Sequence, residues 1–309
     1  IGIVGYGTAG QAIALLAQRC GHAVDVHERV AAPGPVGAGF LLQPTGLWAL
    51  EQMGLASAAR AVGAPVEQLL GVTPQGRPVM DLRYAAAGDG ARGLGLQRGA
   101  LFQLLHAAMP DAVRLHLGHE VQSVDAERGM LTTADGRRHG PYALLILADG
   151  AASRLRNAVD LRRDHAYRWG AAWGLCTAPP WLGTRLVQRY GGTQRMAGLL
   201  PVGRLPGEDA TVQRACFYWS APAEQLEAIC AAGLPGVLQA LRGLWPEAAE
   251  WLASQPESVE LHAARYRDAV SRRPGAGRVI RIGDALHAMS PQLGQGVNLA
   301  LLDAVALGQ

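Results

Sequence analysis

Three short stretches hold residue types whose spacing could do chemistry. The first is Gly5-Tyr6-Gly7-Thr8-Ala9-Gly10, a G-x-G-x-x-G run between the apolar "IGIVG" and the helix-like "TAGQAIALLAQRCG". In that setting each glycine has its own duty. Gly5 allows a tight turn, Gly7 lets a pyrophosphate come close to the backbone, and Gly10 lets helix and strand pack. The helix start adds free amides and the positive end of a dipole. Glu28 closes the next strand, "HAVDVHE", where a carboxylate can accept hydrogen bonds from ribose hydroxyls. The glycines alone could be an ordinary βαβ turn; with Glu28 they read as a dinucleotide fingerprint in context.

The second stretch is Asp149-Gly150, at the end of the apolar strand-like "YALLILADG". The third, "GDALHAMSPQLGQGVNLALLDA", begins where "GRVIRIGDA" gives out. Asp284 there is either a helix cap or a carboxylate facing a bound molecule. His287 reads as a packed or capping histidine ahead of a proton donor. Pro291 and Gly294-Gln295-Gly296 then lead into an apolar helix starting near Val297 and Asn298, where a side chain at the glycines would strike a close ligand.

The elements that must position these residues follow from periodicity. Strand, glycine turn, helix and strand occupy residues 1–28. Residues 45–63 read as helix, and Glu67 to Tyr84 as a hairpin around Gln75-Gly76. "QRGALFQLLHAAM" is helical, and short strands fill 113–139. Longer strands run from Arg168 to Ser220, short helices from Ala223 to Ala253, and a further strand lies near "SVELHAARY". In "RWGAAWGLC" one strand face carries Trp169, Ala171, Trp173 and Leu175, and the other Gly170, Ala172, Gly174 and Cys176. One face is expected to pack on helices and the other to meet a cavity.

Composition narrows the function. The 309 residues are 49% hydrophobic and 17% charged, with a formal net charge of +3 and no basic run. This gives no reason to expect nucleic-acid binding. No apolar run reaches membrane-span length, and a cytoplasmic protein is expected. Lysine is absent, so all 28 basic residues are arginine, a coding bias and not a sign of anion binding. The four cysteines lack C-x-x-C spacing and read as buried free thiols. No His, Cys and carboxylate cluster has metal-ligand spacing.

Taken together, the early G-x-G-x-x-G, the central D-G and the late G-D followed by P-x-x-G-Q-G-x-N resemble the class A flavoprotein monooxygenases of the para-hydroxybenzoate hydroxylase type. "GAGFLLQPTGLWAL" and "LQRGALFQLL" around Arg98 resemble them too. The resemblance spans residues 1–304. It implies an α/β fold, with a Rossmann-like FAD-binding domain of the GxGxxG type interleaved with a smaller β-sheet-rich substrate domain. The FAD domain would comprise 1–64, 92–165 and 268–309, and the substrate domain 65–91 and 166–267. Glu28 would hold the adenosine ribose, and Arg98 would lie along the FAD. Asp149 and Gly150 would serve FAD and NAD(P)H, and Asp284 the ribityl or pyrophosphate region. Pro291 would line the substrate side, while the amides of Gly296, Val297 and Asn298, past Gly294, would face the flavin N1–C2 carbonyl.

The implied activity is hydroxylation of a small aromatic substrate, with NADH or NADPH as transient reductant and O2 delivered through a flavin C4a-hydroperoxide. An oxidoreductase of the same fold without oxygenation, or a flavin-binding redox sensor, is the alternative. Halogenases of related fold carry W-x-W-x-I-P and a catalytic lysine, and this chain has neither. No second strand–glycine-turn–helix fingerprint occurs in 65–282, so the reductant is expected to share the flavin cleft. Tyr190 and Tyr218 are the candidate substrate contacts, with sheet packing as their plainer role; no catalytic side chain is singled out. The native protein is expected to extend beyond these residues, because a last helix ending here would expose Leu299, Leu302 and Val305 or their neighbours.

Overall fold

In the computed structural model, residues 1–34, 37–88, 90–156, 161–255, 259–291 and 294–309 are described. A six-stranded sheet is built in the order Gly275–Ala276, Val279–Arg281, Leu145–Leu147, Gly2–Val4, Asp25–Glu28 and Arg114–Leu117. Its pairs are parallel except at the Gly275–Ala276 edge. Gly2–Val4 and Leu145–Leu147 are apolar and buried along their whole length, as expected of parallel strands covered on both faces. On one face Ile3, Val26 and Ile146 pack against helices Thr8–Arg19, Pro44–Gln52, Arg98–Ala107 and Gly296–Gly308. On the other, Val4, Leu145 and Leu147 meet Leu131 and Tyr142, where a small sheet of Val121–Asp125, Met130–Thr133 and Arg138–His139 lies over them.

A second large sheet has seven strands: His262–Ala264, Trp169–Thr177, Arg214–Pro222, Arg195–Gly203, Arg185–Gly191, Gln68–Val72 and Pro78–Arg83, in that order. The last two form the hairpin read from sequence. Side chains alternate across this sheet. Ala172, Cys176, Phe217 and Trp219 face the helices Leu226–Leu244 and Pro246–Ala253. Trp173, Leu175, Cys216 and Tyr218 face the strand Gly39–Leu42. The glycines on the helix side leave room for neighbours: a Cβ on Gly170 would come within 2.7 Å of Leu226, and one on Gly174 within 2.6 Å of Val259.

A three-stranded sheet of Gly39–Leu42, Gly93–Gln97 and Ala64–Val66 joins the two large ones. Its middle strand crosses Arg195–Gly203 so closely that a Cβ on Gly95 would stand 1.7 Å from the Pro201 carbonyl oxygen.

Some local expectations change. The helix read over 45–63 is two, Pro44–Gln52 and Ala56–Val62, broken where Gly54 takes φ 70°. Leu226–Leu244 bends at Gly233, whose φ of 65° and ψ of −164° are not helical, just ahead of Pro235. The last helix keeps Val305 buried at 3% exposure, because it lies against Thr8–Arg19; Leu299 and Leu302 are half-buried. All four cysteines are free thiols, but Cys20 is exposed and Cys230 intermediate. Cys20 sits at the C-terminal cap of its helix, outside the core. Among the described residues no helix is long and apolar enough to cross a membrane.

The contact at Gly95 sets a test. The Pro201 carbonyl is backbone and cannot swing aside, so Gly95→Ala must push the crossing strands apart and is expected to cost about 1–3 kcal/mol. Gly243→Ala, where a Cβ meets open space on a helix, is expected to hold or gain up to about 1 kcal/mol. Chemical denaturation of both variants checks the contrast; equal stabilities would show that the sheet contact yields freely.

Candidate functional site

The first turn divides its glycines between fold and ligand. Gly5 has φ 100°, and a Cβ there would lie 2.5 Å from the Ala148 carbonyl oxygen; one on Gly10 would lie 2.0 Å from the Gly5 oxygen. Those two are closed by packing. A Cβ on Gly7 would meet nothing within 4 Å. The first intrahelical bond runs from Gln11 N–H to the Gly7 carbonyl, 2.9 Å, so the preceding amides point into that space unspent. Glu28 is fixed at the strand end. Its Oε2 accepts from the Tyr6 amide at 2.7 Å, and its Oε1 from the Val30 amide at 2.9 Å. Each oxygen keeps a lone pair for a hydroxyl donor.

The late motif is held by a side chain turned inward. Asn298 is fully buried. Its Nδ2 donates to the Gly294 carbonyl at 2.7 Å and to the Leu41 carbonyl at 3.2 Å, and its Oδ1 accepts from the Gln43 amide at 2.8 Å. The side chain is therefore a brace, pinning the turn at Gly294 (φ 59°) to Gly39–Leu42. The helix Gly296–Gly308 makes its first internal bond from Leu299 to Gln295, 2.9 Å. The amides of Gly296, Val297 and Asn298 have no intrahelical partner, which suits them to stabilise negative charge. Pro291 is exposed, its carbonyl accepting from the Gly294 amide at 2.8 Å; residues 292 and 293 lie outside the described residues.

Asp284 begins the short helix Asp284–His287, whose N-cap is Gly283, and among the described residues its carboxylate has no hydrogen-bond partner. Its Oδ1 stands 3.7 Å from where a Cβ on Gly296 would be, beside the unspent amides. Asp149 and Gly150 lie across from it. Burial pushes the Asp149 carboxyl up, and its Oδ1 has no hydrogen-bond partner among the described residues. Gly150, at φ 84°, faces open space.

Sequence reasoning passed over what joins these two turns. Arg156, in "DGAASRLR", is buried with its guanidinium spread over carbonyls of both. It donates to Asp284 at 2.6 Å, Ala285 at 2.9 Å, Ala151 at 2.9 Å and Gly150 at 3.3 Å. Asp164 lies 3.6 Å from its Nη1 and also pairs with Arg267. Asp303 was passed over too. Its Oδ2 accepts from the Gly283 amide at 2.7 Å and meets His287 Nε2 at 2.7 Å. His287 is thus a tie between the turn and the last helix. Their spacing was the only signal: an arginine past D-G, and an acid about two turns into the helix that G-Q-G starts.

Arg98 opens the helix Arg98–Ala107 with its stem against Gly37, where a Cβ would sit 2.8 Å from the Arg98 Cδ. Tyr218 is on the sheet face toward this region, and its hydroxyl donates to the Gly39 carbonyl. Tyr190 is two strands further out and donates to Gln188 Oε1 at 2.8 Å. The structure brings Tyr218 to the edge of the site and leaves Tyr190 away from it. Tyr266 is a further tyrosine here; burial pushes its hydroxyl up to about 12, with Cys216 and Arg98 among the groups that act on it.

The open face of Gly7, the free amides at two helix starts, the fixed Glu28 and the unbonded Asp284 fit the FAD that the sequence resemblance implies. They offer donors where phosphate and ring charge would lie and acceptors where hydroxyls would.

Arg156→Met would strand four carbonyls and leave the Asp164 charge less balanced, an expected loss of about 3–5 kcal/mol. Arg156→Lys keeps the charge without the fork and is expected to recover less than half; denaturation curves for the three proteins measure it. His287 gives a pH test. Burial pushes its pKa down, but the hydrogen bond to Asp303 and that residue's charge outweigh burial, and the net shift is upward. Stability from the charged pair is therefore full below the ordinary histidine value of about 6.5 and is lost as pH rises through the higher folded value. The melting-temperature gap between wild type and His287→Gln should be widest below that value and narrow above it. A gap constant with pH would refute the pairing.

The chain matches the FAD binding domain family over residues 1–309. It is 28% identical to the aurachin C monooxygenase/isomerase of Stigmatella aurantiaca, over 99% of this chain and 79% of that protein. It is 27% identical to the kynurenine 3-monooxygenase of Myxococcus xanthus, over 99% and 69%. Its fold resembles that of Pseudomonas aeruginosa PqsL, solved with 2-aminobenzoylacetate, at a TM-score of 0.83 and 23% identity, covering 99% of this chain and 84% of that one. With its glycine turn, Glu28 and late helix start arranged as described, the chain belongs to the FAD binding domain family.

Proposed function

We propose that this protein is an FAD-dependent monooxygenase that uses NADH or NADPH and O2 to hydroxylate a small, electron-rich aromatic compound. The observation that carries the reading is the match of the whole chain to the FAD-binding family, alongside relatives that are monooxygenases. When bound, FAD would supply the redox chemistry, hydride acceptance from the nicotinamide and oxygen activation. The residues of this chain bind, orient and shield. Amides after Gly7 would receive the pyrophosphate, Glu28 the adenosine ribose, and Asp284 the ribityl or pyrophosphate region. Arg98 would lie along the cofactor, and Asp149 and Gly150 would border it. Amides at Gly296, Val297 and Asn298 would stabilise charge on the reduced ring, with Gly294 and Pro291 at its edge.

We assign residues 65–91 and 166–267 to the substrate side, where Trp173, Leu175, Tyr218 and Tyr266 would meet the substrate, and the remainder to FAD. We place the enzyme in the cytoplasm, where NAD(P)H is available. The names kynurenine and 2-aminobenzoylacetate among the similar proteins direct us to rings bearing an amino group, whose lone pair makes ring carbons nucleophilic toward an electrophilic oxygen.

The enzyme as isolated should release FAD on denaturation and oxidise NAD(P)H slowly. Amino-substituted benzoyl compounds should accelerate that oxidation and appear with one added oxygen; benzoates lacking the amine should accelerate it less. Acceleration that yields only hydrogen peroxide with every ring tested would sink the monooxygenase reading. In Asp284→Ala the lost charge-assisted hydrogen bonds, about 1.5–3 kcal/mol, should weaken FAD binding about tenfold or more. Unchanged FAD affinity in a folded variant would remove Asp284 from the site.

A further inference from the structure

On the sheet face away from the helices, folding collects histidines that the sequence scatters. His27 lies on Asp25–Glu28, His119 follows Arg114–Leu117, and His139 is on Arg138–His139 of the small sheet. One ring nitrogen from each lies within 4.8 Å of the other two. His27 is 1% exposed. Its Nε2 is engaged with the Tyr142 hydroxyl at 3.0 Å. Among the described residues its Nδ1 is buried without a partner, as are His119 Nδ1 and His139 Nε2. Three buried imidazole nitrogens without a partner, on rings gathered this closely, are a costly arrangement unless something engages them.

We propose that His27, His119 and His139 form a three-histidine site for a divalent transition cation of the zinc class, with solvent at the remaining position. Imidazole nitrogen suits zinc, cobalt, nickel and copper. Zinc held about 2.0–2.1 Å from each nitrogen needs the three roughly 3.3 Å apart, so each ring moves inward by less than about 1 Å. Tyr142 gives His27 the outer partner that fixes a ligating ring. His116 stacks on His27 with ring centroids 4.7 Å apart and reaches Asp25 at 3.4 Å. It holds the ring from the other side, and Asp25 adds a nearby negative charge.

No spacing in the chain announces this site, because its ligands come from two strands and the turn after a third. Its ion would tie the small sheet to the strand that ends in Glu28, stabilising the fold by mass action. The FAD site has its own residues, so the two readings stand or fall separately.

The test uses chelator-washed, FAD-loaded enzyme titrated with Zn2+ or Co2+. We expect one ion per chain, a rise in melting temperature with Zn2+, and tetrahedral Co2+ bands beyond the flavin absorption. His119→Gln and His139→Gln, at half-buried positions, should weaken binding more than about tenfold and abolish the melting shift. His22→Gln, at an exposed position, should change neither. Binding by those two variants as tight as wild type, or no melting shift and no Co2+ bands in wild type, would overturn the proposal.

Discussion

The Arg156 guanidinium is the contact on which the site depends. The Asp149-Gly150 turn and the Gly283-Asp284 turn end adjacent parallel strands, Leu145–Leu147 and Val279–Arg281, but nothing in strand pairing fixes the loops beyond them. A buried cation donating to carbonyls of Gly150, Ala151, Asp284 and Ala285 does. Arginine can do this where lysine cannot, because its donors lie in a planar fork. Asp164 balances the charge and shares itself with Arg267. These residues come from the paired strands Leu161–Ala166 and Arg267–Ser271, so the clasp also anchors the junction between the two large sheets.

Around that clasp, polar groups divide into those the fold uses and those it leaves. Asn298 spends its whole side chain on backbone, and Asp303 spends one oxygen on Gly283 and His287. Gly5 and Gly10 are filled by neighbours. Among the described residues, what remains unspent is coherent: amides after Gly7, amides at Gly296 to Asn298, the carboxylate of Asp284 and Oδ1 of Asp149. Leaving such groups open costs stability in the chain by itself. That cost is a reason to expect a bound partner there, and the donors and acceptors are of the kinds FAD presents in complement.

The glycine motif, Glu28, the hairpin near Gln75 and the alternation of "RWGAAWGLC" were legible because each is a local pattern that local geometry obeys. Gly54 was a legible breaker, since a left-handed residue ends a helix, but the apolar spacing around it read through. Arg156, Asp303 and the histidine triad were not legible. Their partners lie far along the chain, and only the completed sheet brings them together. The burial of Val305 had the same cause, since its cover is the first helix. Tyr190 and Tyr218 looked alike in sequence. Strand order alone separates them, placing Tyr218 against Gly39 and Tyr190 two strands away.

Side-chain alternation in the seven-stranded sheet then decides which of its faces is closed. Its helix side is closed: Ala172, Phe217 and Trp219 are buried under Leu226–Leu244 and Pro246–Ala253. Its other side carries Trp173, Leu175 and Tyr218, only partly packed against the smaller sheet. Trp173 also rests on His262, with ring centroids 4.8 Å apart. A shift of one residue in register would exchange the two faces, and the nine paired positions between Trp169–Thr177 and Arg214–Pro222 forbid it. The large, partly covered side chains therefore face the strand that Asn298 braces. That face and the helix start at Gly296 therefore belong to elements that Asn298 ties together through the Leu41 carbonyl and the Gln43 amide.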